Sequence, residues 1–136
     1  MKLFFITFLI SCCFSANSQS KLQFNGYYYH FDNDHKDSSW HYLRFYPDGS
    51  VVETNSIARP GKLMKGFRKN AHPDLFQGTY TLKGDEITFS TFDKRKQKVV
   101  YKGKVENGKL ILRMHSFATG YQADEVYEFV PVKGIN

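Results

Sequence analysis

From about residue 40 to residue 130 the chain alternates apolar and polar side chains, and turn-forming residues interrupt that alternation at short intervals. A period of two is the spacing of a strand with one buried face. Pro47-Asp48-Gly49 is a turn signal, with Pro fixing φ and Gly permitting a positive φ. Gly84-Asp85 divides segment 79–83 from 86–92. Asn107-Gly108, the pair favoured in type I′ hairpin turns, divides 98–105 from 109–115. With 22–31, 40–46 and 51–54 before them and 125–130 after them, these segments make eight strands. All connections but one are short, so sequence neighbours pair antiparallel. The predicted fold class is all-β, an eight-stranded antiparallel up-and-down β-barrel whose closure removes the edges of an open sheet.

Composition agrees with extended structure. The 136 residues include 13 Phe and 9 Tyr but one Trp, are 41% hydrophobic and 24% charged, and suit one globular domain. No apolar run reaches the roughly 18 residues of a membrane-spanning helix, and no repeat of 20–50 residues is visible. The first 18 residues read as an address: Met1-Lys2, an apolar stretch from Leu3 to Phe14, and Ala16-Asn17-Ser18 as a cleavage site before Gln19. This predicts an export signal at 1–18, a single domain at 19–136, and a secreted or periplasmic location. Leu9-Ile10-Ser11-Cys12 looks like a lipoprotein acylation site, and a lipid-anchored form at Cys12 is the minor alternative. Both cysteines, Cys12 and Cys13, leave with the signal, so the remaining domain has no disulfide, thiol nucleophile or Cys-ligated zinc.

Alternation assigns faces. The expected interior is Leu22, Phe24, Tyr28, Leu43, Phe45, Tyr80, Leu82, Ile87, Phe89, Val99, Tyr101, Leu110, Leu112, Met114, Tyr127 and Phe129. A first hairpin turning between His35 and Lys36 sets Tyr28 against Leu43 and His30 against His41. The same register puts Tyr27 with Arg44, Tyr29 with Tyr42 and Phe31 with Trp40 on the outside. This hairpin is apolar on both faces, so its outer strip needs a cover. The cover is either the long segment 55–77 or a protein partner anchored on Tyr27, Tyr29, Trp40, Tyr42 and Arg44. Within that segment, Leu63, Met64 and Phe67 share one face of a helix over 61–69, which Gly61 and Gly66 each weaken by ~1 kcal/mol.

Signals for chemistry are thin. There is no Gly-x-Ser-x-Gly elbow, His-Glu-x-x-His helix or phosphate-binding glycine loop, and alternation is expected to place no Asp/Glu pair inward. His30 and His41 with Asp32, Asp34, His35 and Asp37 resemble a metal site in composition. An EF-hand, however, would need an oxygen ligand at Lys36, glycine at Asp37 and an acid at Leu43. A His-dependent metal enzyme is therefore the weakest reading, and no metal or cofactor is expected. Basic residues concentrate at Lys62, Lys65, Arg68 and Lys69, and from Lys94 to Lys104, without the interleaved stacking platform of a nucleic-acid binder.

With Gly26 early in the first strand and eight meandering strands, the chain resembles the lipocalin-like small secreted proteins of bacteria. The first lipocalin motif, Gly-x-Trp, corresponds to Gly26-Tyr27-Tyr28, with Tyr28 at the Trp position and Arg113 as candidate counterpart; the Thr-Asp-Tyr motif is absent. The resemblance implies a non-enzymatic binding protein for a small hydrophobic or amphipathic ligand. Tyr28, Tyr80, Tyr101 and Tyr127 would offer hydroxyls to such a ligand, and Phe45, Phe89 and Met114 apolar contact.

Overall fold

The computed structural model describes residues 21–33, 38–62 and 67–135. The expected export signal with Cys12 and Cys13, the turn acids Asp34 and Asp37 with His35, and Leu63 and Met64 lie outside the described residues. Eight antiparallel strands follow one another around a closed barrel. They are β1 (Gly26–Asp32), β2 (Ser39–Phe45), β3 (Ser50–Ser56), β4 (Phe76–Lys83), β5 (Glu86–Phe92), β6 (Lys98–Glu106), β7 (Lys109–Ser116) and β8 (Gln122–Pro131). Among the described residues, no helix is long and apolar enough to cross a membrane.

The turns form where the sequence places them. Asn107 and Gly108 have φ of 51° and 74°, both in the left-handed region that a type I′ turn requires. At the β2–β3 turn the Asp48 carboxylate accepts the Ser50 backbone N–H at 2.9 Å, and Gly49 has φ 91°. The first hairpin has the expected register, Tyr28 opposite Leu43, His30 opposite His41 and Phe31 opposite Trp40. Closure comes from β8, which sets Val130 opposite Tyr27 and Phe129 opposite Tyr28. The seam is tight. A Cβ built on Gly26 would lie 2.0 Å from the Val130 carbonyl oxygen, so only glycine lets the two backbones approach this closely.

Fourteen of the expected interior residues join the barrel core, Tyr80 and Phe129 as its partly buried members. Phe24 and Leu82 do not, being 36% and 38% exposed. Phe24 precedes β1, and the β3–β4 ladder ends at Ser50 with Thr79, so Leu82 projects beyond the neighbouring strand. Val51 and Val105 complete the core. Each fully buried aliphatic or Phe side chain, Leu43, Phe45, Ile87 and Leu110 among them, contributes about 1.5–3 kcal/mol.

The helix expected over 61–69 is corrected. Residues 61, 62 and 67–69 are turn or irregular, and no helix occurs among the described residues. Gly61 has φ 84°, outside the right-handed helical region. Side chains of the first hairpin instead satisfy the backbone of this strap. Tyr27 Oη accepts the Gly61 N–H at 3.1 Å, Tyr46 Oη accepts the Lys69 N–H at 3.1 Å, and Tyr42 Oη donates to the Ala58 carbonyl. Burial pushes the Tyr42 phenol up to about 12, so it stays a donor. Arg44 Nη1 donates to the Phe67 carbonyl at 2.8 Å, and its guanidinium lies 4.6 Å from the Tyr46 ring centroid. The Phe67 ring meets Tyr27 and Tyr42 at 5.9 and 6.3 Å, and Leu75 packs into the same cluster. The chain therefore covers Tyr27, Tyr42 and Arg44, three of the five anchors expected for a partner, while Tyr29 and Trp40 are half-buried.

Gly26→Ala should force the β1–β8 seam apart. Its stability in urea should fall by about 2–3 kcal/mol, the cost of a backbone shift in a tight site. A midpoint equal to that of the parent chain would show that the seam has slack.

Candidate functional site

The two ends of the barrel differ. At the end holding the β2–β3, β4–β5 and β6–β7 turns, rings interlock. Phe45 stands edge-on to Tyr28, Tyr80 and Phe89 at 5.7, 5.3 and 5.2 Å. Phe89 in turn stacks on Tyr101 at 4.5 Å with 13° between the planes. Leu22 lies buried with this cluster, and the Gln23 N–H donates to Tyr28 Oη at 2.9 Å. The opposite end, where β1, β3, β5 and β7 terminate, holds a cavity of about 770 Å³. Phe76, Val99 and Met114 give it apolar wall, and Asp32, His41 and Glu53 give it polar wall. Among the described residues, no lysine or arginine lines it.

Of the seven expected ligand residues, Met114 reaches this cavity. Tyr28, Phe45, Tyr80, Phe89, Tyr101 and Tyr127 point into the barrel as alternation requires, but they belong to the packed core that forms its floor. Tyr28 occupies the interior position implied by the Gly-x-Trp correspondence. Arg113 does not meet it. Arg113 is on the outer face, bonded to Asp124 at 2.9 Å and to Gln122 at 3.4 Å.

The expectation that no acid pair faces inward is overturned. Glu53 and Glu125 are both buried within the barrel, 7% and 4% exposed. Glu53 Oε1 accepts the Tyr101 hydroxyl at 2.6 Å, and Oε2 accepts the Thr91 hydroxyl at 2.6 Å. Glu125 Oε2 accepts the Tyr127 hydroxyl at 2.6 Å. The signal was in the sequence: Glu53 sits two residues from Val51 and opposite Leu43, and Glu125 two residues from Tyr127 and opposite Leu112. Burial raises the Glu53 carboxyl above its usual range, and the charge of Glu125 adds to that. The hydrogen bonds from Thr91 and Tyr101 oppose it. Burial and then the nearby carboxylates push the Tyr101 and Tyr127 phenols well up, so both remain donors across the ordinary pH range.

His30 and His41 face one another as the register predicts, ring centroids 6.3 Å apart. His30 Nδ1 lies 3.1 Å from the Val126 carbonyl oxygen, an acceptor, so that nitrogen carries the proton. His41 Nε2 lies 3.8 Å from Asp32 Oδ2. Among the described residues no three His, Cys, Asp or Glu side chains converge as a metal site would require.

No protein-family model matches the chain, and no curated protein matches it. What the structure carries is the fold, an eight-stranded closed antiparallel barrel, and a cavity at one of its ends.

A raised carboxyl pKa fixes the sign of a pH effect. Folded Glu53 holds its proton to higher pH than the unfolded chain does. Its contribution to stability is complete below the ordinary value of 4.5 and is lost as pH climbs through the raised one. Glu53→Gln removes this dependence. Its melting temperature relative to the parent chain should rise as pH climbs above the ordinary carboxyl value of 4.5. A difference that is flat with pH would mean that Glu53 titrates normally.

Proposed function

We propose that this is a secreted, non-enzymatic binding protein of lipocalin-like build, which holds a small amphipathic molecule at the open end of its barrel. The observation that carries the reading is the cavity of about 770 Å³, within the size range of small-molecule sites. Its two kinds of wall divide the work. The apolar part of the ligand lies against Phe76, Val99 and Met114, and its polar part meets Asp32, Glu53 and His41. Two hydroxyls fix the position of the Glu53 carboxyl, whose oxygens keep accepting lone pairs, so a ligand polar group that donates a hydrogen bond, such as a hydroxyl or an amine, suits it. The rings beneath give the cavity a rigid floor rather than a deep tunnel. The export signal expected at residues 1–18 is in keeping with the same reading, since a barrel with an accessible cavity can carry a poorly soluble molecule outside the cell.

Native mass spectrometry of the protein purified from its own secretion tests this. The parent chain should show a non-covalent increment of a few hundred daltons, in keeping with the cavity's volume. Met114→Trp, which fills the cavity from its apolar wall, should lower that occupancy by about tenfold or more. Ser116→Trp at the rim, where the packed core is undisturbed, should do the same. A bare mass for the parent chain, or occupancy in both variants equal to that of the parent, would remove the proposal.

A further inference from the structure

The rim of the open end carries large apolar side chains that the chain leaves in solvent. Ile57 is 88% exposed, Phe117 59%, Phe31 41% and Phe92 40%. They come from the ends of β3, β7, β1 and β5, so they are distributed around the opening rather than gathered on one side. Each sits beside the cavity wall. Phe31 precedes Asp32, Phe117 follows Ser116, Ile57 lies two residues past Asn55, and Phe92 pairs with Lys98, the neighbour of Val99. Four strand ends thus bring large exposed apolar groups to one rim.

The charges between them say what that is. Lys98 Nζ lies 5.9 Å from the Phe92 ring centroid and 5.5 Å from that of Phe117, an ammonium between two exposed rings. Arg95 and Lys96 are exposed in the adjoining β5–β6 turn, and Arg59 follows Ile57 closely. Asp93 in the same turn spends its carboxylate on its own backbone, accepting the N–H groups of Arg95 and Gln97 at 2.9 and 2.8 Å. Of the described cavity acids, Asp32 and Glu53 are largely buried and the exposed Asp74 pairs with Lys94 at 2.7 Å, so Arg59, Arg95, Lys96 and Lys98 leave the described part of this rim basic. Rings flanked by lysine and arginine match a lipid interface, where aromatic side chains enter the headgroup region and cations remain among the phosphates.

We propose that the open end of the barrel docks on an anionic lipid surface, with Phe92 and Phe117 inserting about Lys98, and Phe31 and Ile57 extending the contact around the mouth. A bilayer receives separate insertions without shape complementarity, whereas a protein partner would call for one contiguous apolar patch. Docking of this kind turns the cavity toward the membrane. It stands on the rim alone and does not depend on what the cavity holds.

The test is co-sedimentation of the chain from Gln19 onward, which carries the whole barrel, with vesicles of phosphatidylcholine alone or mixed with phosphatidylglycerol. Partitioning should be about tenfold stronger on the mixed vesicles and should weaken as salt rises. Phe92→Ser with Phe117→Ser should reduce it by about tenfold or more, and Lys98→Gln should reduce the preference for phosphatidylglycerol. Ile111→Ser with Val126→Ser is the control, because these exposed residues pair on the outer wall away from the mouth. That variant should bind like the parent chain. The single Trp, Trp40, packs 4.6 Å from Phe31, so brominated lipids in the mixed vesicles should quench its fluorescence. Absence of binding, equal binding to both vesicle types, or loss through the Ile111/Val126 pair rather than the rim would overturn the proposal. So would a stable dimer that Phe117→Ser dissolves, since the rim would then belong to a second copy of the chain.

Discussion

A strand at the edge of a sheet presents a row of unsatisfied N–H and C=O groups, and in this chain β1 meets that demand with β8. The pairing depends on contact at Gly26, where any side chain would collide with the Val130 carbonyl. Once the seam is closed, every strand has two neighbours, and one face of each is committed to an interior only wide enough for side chains or one small ligand. The register follows from that commitment, because a slip of one residue would send Tyr28, Tyr101 and Tyr127 to the outside.

The interior is less uniform than its aromatic content suggests. Its closed end is a set of rings meeting edge-on and stacked, an arrangement that leaves no polar atom to satisfy beyond a few hydroxyls. Deeper toward the open end, the tyrosines turn those hydroxyls to two carboxylates. Each buried acid would be costly alone, and each is held by phenol or threonine donors rather than by a cation. This choice keeps the site acidic and accepting in a chain whose net charge is positive. A lysine in the same place would have neutralised the carboxylates and removed the one feature that distinguishes the cavity from an apolar slot.

Much of the architecture could be read from the chain because it depends on local rules. Asn107-Gly108 specifies its turn by φ, and alternation specifies the faces of β5 to β8. The pairing of His30 with His41 follows from the hairpin register alone. Where reading failed, tertiary context outweighed the local rule. Glu53 and Glu125 are inward by phase, yet charge argues for the surface; the hydroxyls of Thr91 and Tyr101 from other strands, and that of Tyr127 two residues along β8, make their burial tolerable. Leu82 is inward by phase and exposed because its neighbour strand ends early, a length that alternation does not encode. At the described ends of the expected helix, residues 61–62 and 67–69, helical spacing lost to hydrogen bonds supplied by side chains more than a dozen residues away. The candidate site was thus only partly legible. The inward face of Met114 follows from alternation, as does the phase of the acids, whereas the tolerance of their burial depends on hydroxyls that the fold brings to them.

The path of the strap decides whether the cavity can be used at all. A connection as long as that between β3 and β4 could have folded across the mouth as a plug. Instead Tyr27, Tyr42, Arg44 and Tyr46 fasten its backbone to the outside of the first hairpin, and Phe67 fills the groove between the rings there. The outer aromatics therefore serve as the strap's docking surface, which explains why β1 and β2 are apolar on both faces. With the described parts of the strap held to the side, Asp74 and Phe76 are the described residues of this connection and the start of β4 that reach the cavity wall. Among the described residues the mouth is uncovered, and the exposed rings around it face outward. The aromatic abundance of this sequence thus resolves into three tasks set by position: filling the closed end, holding the strap, and edging the opening.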